Sequence, residues 1–165
     1  MQNIVIVGGG IVGLATAYKL ALTKHDVTIT VLEKETDVGL HQSTNNSGVL
    51  HCGLYYKPGS LKAICAVEGI KQMTEFCKKY DLPHEICGKV VVATDFMEEL
   101  LLENLYNRGL ENKLEGLKKL NRKELQKIEP YINQRAVGLY VPQEGIVDYY
   151  AVVKKLEELI IEKKH

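Results

Sequence analysis

Three glycines near the amino terminus, Gly8, Gly10 and Gly13, stand at the spacing G-x-G-x-x-G. They separate an apolar, β-branched run at 3–8 from a run rich in Ala and Leu at 11–23. Strand, tight turn and helix in this order are typical of a dinucleotide site. The first glycine makes the turn, the second lets a pyrophosphate approach the backbone, and the third lets the helix pack closely. The free N–H groups at the helix start then face the phosphates.

An acidic residue completes the motif, because Glu33 closes the next apolar run, at 26–34. Its carboxylate is expected to accept hydrogen bonds from an adenosine ribose. A carboxylate there repels a 2′-phosphate, so NADP is disfavoured and FAD and NAD both stay open. A tight turn without any ligand is the plain structural alternative.

The segment 41–60, HQSTNNSGVLHCGLYYKPGS, holds the next chemically capable side chains. His41, His51 and Cys52 do not have the spacing of a metal site, and the four cysteines form no C-x-x-C pair. Gly and Ser permit close backbone approach to a ligand, while Ser and Asn supply hydrogen bonds. The long connection at 34–59 is therefore expected to be a functional loop; a loop that only fills a crevice between domains is the alternative.

The elements around these residues follow from periodicity and capping. The 3–8 and 26–34 runs predict parallel strands joined by a right-handed crossover through the 11–23 helix, with the first strand buried on both faces. The later elements are helix 61–80 capped by Ser60, strand 88–95, helix 96–112 capped by Asp95, strand 117–120, helix 121–130 with an Asn121–Glu124 capping box, strand 136–142 and helix 149–164 capped by Asp148.

Composition narrows the class of function. The 165 residues are 45% hydrophobic, as in an ordinary globular protein, and 21 basic residues balance 21 acidic ones. This balance argues against nucleic acid as the main partner. No apolar run is long enough to cross a bilayer, and no signal peptide pattern opens the chain, so a cytoplasmic location is expected. The last helix has no following strand, which favours the front part of a longer protein over a naturally short chain.

Two stretches, IVIVGGGIVGLATAYKL followed by TVLEKE, resemble the FAD-dependent oxidoreductases of the D-amino-acid oxidase and glycerol-3-phosphate dehydrogenase superfamily. The run HQSTNNSGVLHCGLYYKPGSLKA is similar to the L-2-hydroxyglutarate oxidase/dehydrogenase family, and CGKVVVAT and VPQEGIVDY also fit it. This resemblance implies an α/β fold: a Rossmann-like FAD-binding part at 1–80, the beginning of an inserted α+β substrate-binding domain at 81–142, and a helix returning to the FAD domain at 143–165.

The same resemblance implies FAD as cofactor and oxidation of a small 2-hydroxy acid, L-2-hydroxyglutarate to 2-oxoglutarate, as the reaction. The implied cofactor-binding residues are Gly8, Gly10, Ile11, Val12, Gly13, Glu33, Lys34, His41, Ser43, Asn46, Ser47, Gly48 and Val49. Thr44 and Asn45 depart from the family pattern, which has Gly followed by a cationic residue there, so the contact made at Asn45 stays open.

Three hypotheses are open for His51. It is a catalytic or substrate-contacting residue near the flavin ring, a covalent attachment point for the flavin, or a structural histidine. Tyr55, Tyr56 and Lys57 are expected either to contact substrate carboxylates or to pack at a domain interface. No metal site is expected.

The implied partners are the substrate and an electron acceptor, oxygen or a membrane quinone, the latter through peripheral contact at the inner face of a membrane. The oligomeric state is left open, and this chain is expected to be inactive alone. Oxidation of glycerol 3-phosphate or of an amine is the alternative within the superfamily. A non-catalytic dinucleotide-binding module is the alternative outside it.

Overall fold

The computed structural model describes residues 2–162, which form a mixed α/β fold with two compact units. The first unit comprises the chain through Gly48, Cys77–Pro83 and the residues from Val147 onward. The second comprises Val49–Phe76 and His84–Ile146.

The first unit is built on a β-α-β element. Strands β1 (Gln2–Val7) and β2 (Val27–Leu32) are parallel and in register from Gln2 opposite Val27 to Val7 opposite Leu32. Helix α1 (Ile11–Thr23) joins them and packs on both strands. The strand–turn–helix–strand prediction is confirmed.

The burial of β1 differs from the prediction. Alternate side chains, among them Val5 and Val7, are exposed by 57% and 84%, and Leu32 of β2 is exposed by 52%. Only one face of this two-stranded sheet is covered, because within this unit α1 packs on that face. The expectation of a strand buried on both faces is therefore wrong for the described residues.

Helix α5 (Tyr149–Glu162) packs against α1 and completes the core of the first unit. Its apolar side chains recur at helical spacing, and Val152, Val153 and Leu156 are buried. Asp148 caps it, accepting a hydrogen bond from Ala151 N at 3.1 Å. The predicted end at 164 lies outside the described residues.

The second unit contains an antiparallel sheet of order β5–β7–β6, with β5 at Lys89–Ala93, β6 at Lys118–Leu120 and β7 at Val137–Val141. Three helices accompany it: α2 (Leu61–Lys79, which ends in the first unit), α3 (Phe96–Glu111) and α4 (Arg122–Ile128). The core includes Leu120, Leu125 and Ala136.

The capping predictions hold closely in this unit. Asp95 accepts a hydrogen bond from Glu98 N at 2.9 Å, and Asn121 and Glu124 form the predicted capping box. Ser60 Oγ accepts from Ala63 N at 3.3 Å at the start of α2. These caps satisfy N–H groups that the first turn of a helix leaves free.

A second small sheet was not predicted. Its order is β3–β8–β4, with β3 at Val49–Leu50, β4 at His84–Glu85 and β8 at Gly145–Val147. The pairing of β3 with β8 is antiparallel and places Val49 opposite Ile146 and Leu50 opposite Gly145. The ladder fixes the first residue after β3, which is His51, beside the residue before β8, which is Glu144.

Candidate functional site

The glycine loop has the geometry that its sequence predicts. Gly8 has φ of +105°, a conformation that side chains disfavour, and the space where its Cβ would stand is open to 4 Å. Gly10 is the N-cap of α1. A Cβ at Gly13 would overlap the Gly8 carbonyl oxygen, so only glycine lets α1 begin this close to the turn.

Glu33 follows β2 and its carboxylate binds the glycine loop directly. Oε2 accepts from Gly9 N at 2.7 Å, and Oε1 accepts from Lys34 N at 2.8 Å and Glu35 N at 3.1 Å. The hydrogen bonds from the N–H groups of Glu35 and Gly9 lower the pKa of Glu33, whose side chain is partly exposed. A carboxylate has about four acceptor positions, so one remains for a ribose hydroxyl.

Ser43 brings the 41–48 segment against the same loop. Its Oγ accepts a hydrogen bond from Ile11 N at 2.9 Å, at the first residue of α1. A Cβ on Gly10 would lie 3.0 Å from this oxygen. The hydroxyl proton of Ser43 stays available to a ligand oxygen beside Gly10. Val12, the next residue of the helix, is 78% exposed.

His41 and Lys34 both face a neighbouring carboxylate. His41 Nε2 lies 3.0 Å from Glu35 Oε1, and Lys34 Nζ lies 3.5 Å from the same oxygen. All three side chains are substantially exposed, so these ion pairs add little to stability. Both side chains therefore lie on one carboxylate, that of Glu35, two residues after Glu33.

The two asparagines of the segment bond within it. Asn45 Nδ2 donates to the carbonyl oxygens of Leu40 and His41, at 3.0 and 2.7 Å. Asn46 Nδ2 donates to Gln42 O and Ser43 O, both at 2.9 Å, and its Oδ1 accepts from Gly48 N at 2.8 Å.

The Asn45 amide therefore shapes the loop itself. Gly48, with φ of +70°, ends the turn, and Val49 begins β3. Ser47, immediately before Gly48, is exposed.

These residues fit the pyrophosphate and ribose half of an adenine dinucleotide. The site offers open space beside Gly8 and a helix N-terminus with no acidic residue in its first turn. It also offers the partly exposed carboxylate of Glu33 at the end of β2.

His51 belongs to the second unit, where it lies against a buried carboxylate. Glu144 is 1% exposed; its Oε2 lies 3.4 Å from His51 Nδ1 and within ion-pair range of Lys89 Nζ. Its Oε1 lies 3.4 Å from both the N and the Sγ of Cys52. The pKa of the Cys52 thiol is raised to about 12, mainly by burial and to a smaller extent by the nearby charge of Glu144. The thiol therefore stays protonated and donates to the carboxylate.

Glu144 and Lys89 were missed by sequence reasoning. Nothing local distinguishes a buried glutamate in a turn from an exposed one. The weak signal was an acidic residue between the apolar runs of β7 and β8.

Tyr55, Tyr56 and Lys57 follow on an exposed turn of the same unit. Arg108 Nη1 donates to Tyr55 O at 3.0 Å, and Asn112 Nδ2 donates to Tyr56 O at 2.9 Å, which fixes the backbone and leaves the rings exposed by 47% and 36%. The Tyr55 ring also lies under the Lys89 ammonium, 4.6 Å from its centroid.

Within residues 2–162, no helix is both long and apolar enough to cross a membrane. The same residues contain no cluster of three or more His, Cys, Asp or Glu side chains suited to hold a metal ion.

Curated relatives cover nearly the whole of this chain. It is 48% identical over 156 residues to the L-2-hydroxyglutarate dehydrogenase of Indibacter alkaliphilus, covering 94% of this chain and 39% of that protein. The mitochondrial L-2-hydroxyglutarate dehydrogenase of Homo sapiens is 45% identical over 150 residues, covering 91% and 32%. The chain thus spans about two fifths or less of the length of these relatives.

Solved structures agree on the fold. The L-alpha-glycerophosphate oxidase from Mycoplasma pneumoniae, with FAD bound, superposes with a TM-score of 0.85 at 30% identity, covering 99% of this chain and 44% of that one. The glycine oxidase from Geobacillus kaustophilus gives a TM-score of 0.85 at 22% identity, covering 99% and 45%, which speaks to the fold alone. The family model for FAD dependent oxidoreductases of the DAO family matches residues 3–164. This chain belongs to the DAO family of FAD dependent oxidoreductases.

Proposed function

We propose that the protein containing this chain oxidises L-2-hydroxyglutarate to 2-oxoglutarate with FAD as cofactor. One observation carries the proposal: the relatives that are 42–48% identical across most of the chain are L-2-hydroxyglutarate dehydrogenases. Residues 1–80 and 143–165 are proposed to belong to the FAD-binding part, and residues 81–142 to begin the substrate domain.

The glycine loop is proposed to hold the FAD pyrophosphate. Gly8 and Gly10 leave room for it, and the first turn of α1, with Ile11, Val12 and Gly13, presents its positive end. Ser43 offers its hydroxyl to a phosphate oxygen, and Glu33 keeps an acceptor position for the ribose. Lys34 and His41, which both contact Glu35, are proposed to lie beside this site.

The turn at Asn46, Ser47, Gly48 and Val49 is proposed to line the rest of the cofactor. Asn46 acts there through the loop shape that its three hydrogen bonds impose. Ser47 is exposed and keeps its hydroxyl at the surface.

FAD held by these residues would supply the acceptor for the hydride that leaves the carbinol carbon of the substrate. His51 is proposed to take the hydroxyl proton on its Nε2, since half of its side chain is exposed while Nδ1 faces Glu144. Lys57 and the exposed rings of Tyr55 and Tyr56 are proposed to contact the substrate carboxylates.

A substrate panel on the full-length, flavin-loaded protein tests the proposal. With an artificial dye as acceptor, L-2-hydroxyglutarate should be oxidised well above its D enantiomer, glycerol 3-phosphate and glycine. Turnover of glycerol 3-phosphate alone would favour the second candidate, which the 30% identity to the glycerophosphate oxidase supports. A purified protein without flavin absorption that binds NAD instead would contradict both candidates.

His51→Gln should lower kcat by about 100-fold or more, the usual contribution of a general base, while flavin absorption is retained. Acid denaturation of the flavin-loaded protein tests the other hypothesis for His51, that it is the covalent attachment point of the flavin. Flavin that passes fully into the supernatant is noncovalent, whereas flavin that stays with the pellet is attached to the protein.

The electron acceptor and location are also proposals. Oxygen or a membrane quinone is proposed as acceptor, and the cytoplasm as location, with peripheral contact at the inner face of a membrane when a quinone is used. The relatives from Dictyostelium discoideum and Homo sapiens are named as mitochondrial enzymes, so cell fractionation in the source organism is the direct test.

A further inference from the structure

His51 and Glu144 are held together by the backbone as well as by their charges. The β3–β8 ladder pairs Leu50 with Gly145, so the next position pairs residue 51 with residue 144. Cross-strand neighbours of this kind lie close enough for their side chains to interact. The Glu144 carbonyl oxygen accepts a hydrogen bond from Gly88 N at 2.8 Å, which anchors the turn on its other side.

The Glu144 carboxylate is buried and nearly every group around it is a donor or a cation. Lys89 Nζ is in ion-pair contact with Oε2, and Cys52 directs its N–H and its thiol at Oε1. Taking a carboxylate out of water costs several kcal/mol unless charge and hydrogen bonds compensate it. Lys89 supplies the opposite charge, and the Lys89 ammonium in turn lies over the Tyr55 ring.

Oε2 still lacks a hydrogen bond of standard geometry among the described residues. The remaining donor within reach is His51 Nδ1, at 3.4 Å. A carboxylate in this place favours the imidazole tautomer with the proton on Nδ1, because the other tautomer would set two acceptors against each other. Nε2 is then left as a proton acceptor on a ring whose side chain is 51% exposed.

We propose that Glu144 is a positioning residue for His51: it holds the ring in the Nδ1–H tautomer and stabilises the imidazolium that forms when Nε2 takes a proton. The inference rests on the proposed function, in which Nε2 receives the hydroxyl proton of the substrate. The step moves one proton from the substrate oxygen to Nε2 and moves no electrons. Lys89 keeps the buried carboxylate compensated, so the site carries no net buried charge before the proton arrives.

The tautomer itself is the first test. In the full-length, flavin-loaded protein with ¹⁵N-labelled histidine, the two ring nitrogens of His51 have distinct shifts, assigned by their loss in His51→Gln. The wild-type protein should show protonated Nδ1 and unprotonated Nε2 at neutral pH. The opposite tautomer in the wild-type protein would overturn the proposal, whether or not Glu144→Gln folds.

The second test compares Glu144→Gln with the matched control Glu85→Gln, on an exposed residue of the neighbouring strand β4. Glu144→Gln should change the His51 tautomer population and lower kcat by about 10- to 100-fold, part of what a general base contributes, while KM changes less than about threefold. Glu85→Gln should leave both unchanged. An unchanged tautomer and kcat in Glu144→Gln would overturn the proposal.

The pairing of His51 with Glu144 and the identity of the substrate are tested by different measurements. The tautomer is read without any substrate, so its loss in Glu144→Gln supports the His51–Glu144 pairing even for a protein that oxidises glycerol 3-phosphate. In that outcome the proposed substrate is wrong, and the kcat comparison is repeated with the substrate found.

Discussion

Ser43 Oγ accepts a hydrogen bond from Ile11 N at 2.9 Å, although 32 residues separate them. This bond joins the 41–48 segment to the first turn of α1, where the phosphates of a dinucleotide are proposed to lie. The same oxygen lies 3.0 Å from the position of a Cβ on Gly10, so the serine and the glycine together shape one wall of the site.

Ser43→Ala should weaken FAD binding to the full-length protein about tenfold. The change removes a hydroxyl that orients the helix start and can donate to a phosphate, and a hydrogen bond to a charged group contributes ~1.5 kcal/mol. Flavin fluorescence released on dilution measures the dissociation constant. Ser60→Ala is the control, because it removes the same hydroxyl from the start of α2 and should cost about 1 kcal/mol of stability with unchanged FAD affinity. Equal FAD affinity in wild type and Ser43→Ala would contradict the assignment.

Gly13→Ala should destabilise the protein by about 1–3 kcal/mol, because the new Cβ overlaps the Gly8 carbonyl oxygen and either the turn or the helix must move. Gly69→Ala is the matched substitution: Gly69 lies within α2, is exposed, and has nothing within 4 Å of its Cβ position. Since alanine favours the helix, Gly69→Ala should stabilise by about 0.5–1 kcal/mol. Urea unfolding of the flavin-loaded variants measures both free energies. Stabilisation by Gly13→Ala together with destabilisation by Gly69→Ala would refute the packing argument.

Glu33 should contribute to stability at neutral pH and lose that contribution in acid. Its folded pKa lies below the ordinary value of 4.5, because backbone N–H groups donate to the ionised form. The contribution is therefore complete above about pH 4.5 and disappears as the pH falls through the folded pKa, where the unfolded chain binds more protons. Urea unfolding from about pH 3 to 6 should show a smaller rise of stability with pH in Glu33→Gln than in wild type. Glu115→Gln, at an exposed turn, is the control and should follow the wild-type curve.

The sequence predicted best what adjacent residues decide. The helices capped by Asp95, Asn121 and Asp148 were placed correctly. A cap and a periodic apolar face depend on residues that are close in sequence. The glycine loop was predictable for the same reason, because its three glycines lie within six residues of one another. The uncovered face carrying Val5 and Val7 was not foreseen, since burial depends on what packs over a strand.

What depends on pairing between distant segments was missed. Strand β3 has two residues and no pattern of its own; it exists because β8, almost a hundred residues later, pairs with it. Glu144 lies beside His51 because of that pairing, and Lys89 is placed by a different one, between β5 and β7. His51 could be singled out from its sequence context, but its carboxylate partner could not.

Cys52 provides the last prediction, because its chemistry follows from the same buried carboxylate. Its side chain is fully buried, and burial and Glu144 raise the pKa of the thiol to about 12. At pH 8 roughly one thiol in ten thousand is then the reactive thiolate. Cys65 and Cys87 are exposed in this chain, whereas Cys77 is buried and its thiol pKa is raised by burial.

Iodoacetamide treatment of the native full-length protein, followed by peptide mass spectrometry, should therefore label Cys65 and Cys87 and spare Cys52 and Cys77. All four should react in denaturant. Cys52 should stay protected in Glu144→Gln as well, because burial is the larger cause of its raised pKa. Labelling of native Cys52 at the rate of Cys87 would mean that the pocket around Glu144 opens in solution, and a carboxylate open to water would position His51 weakly.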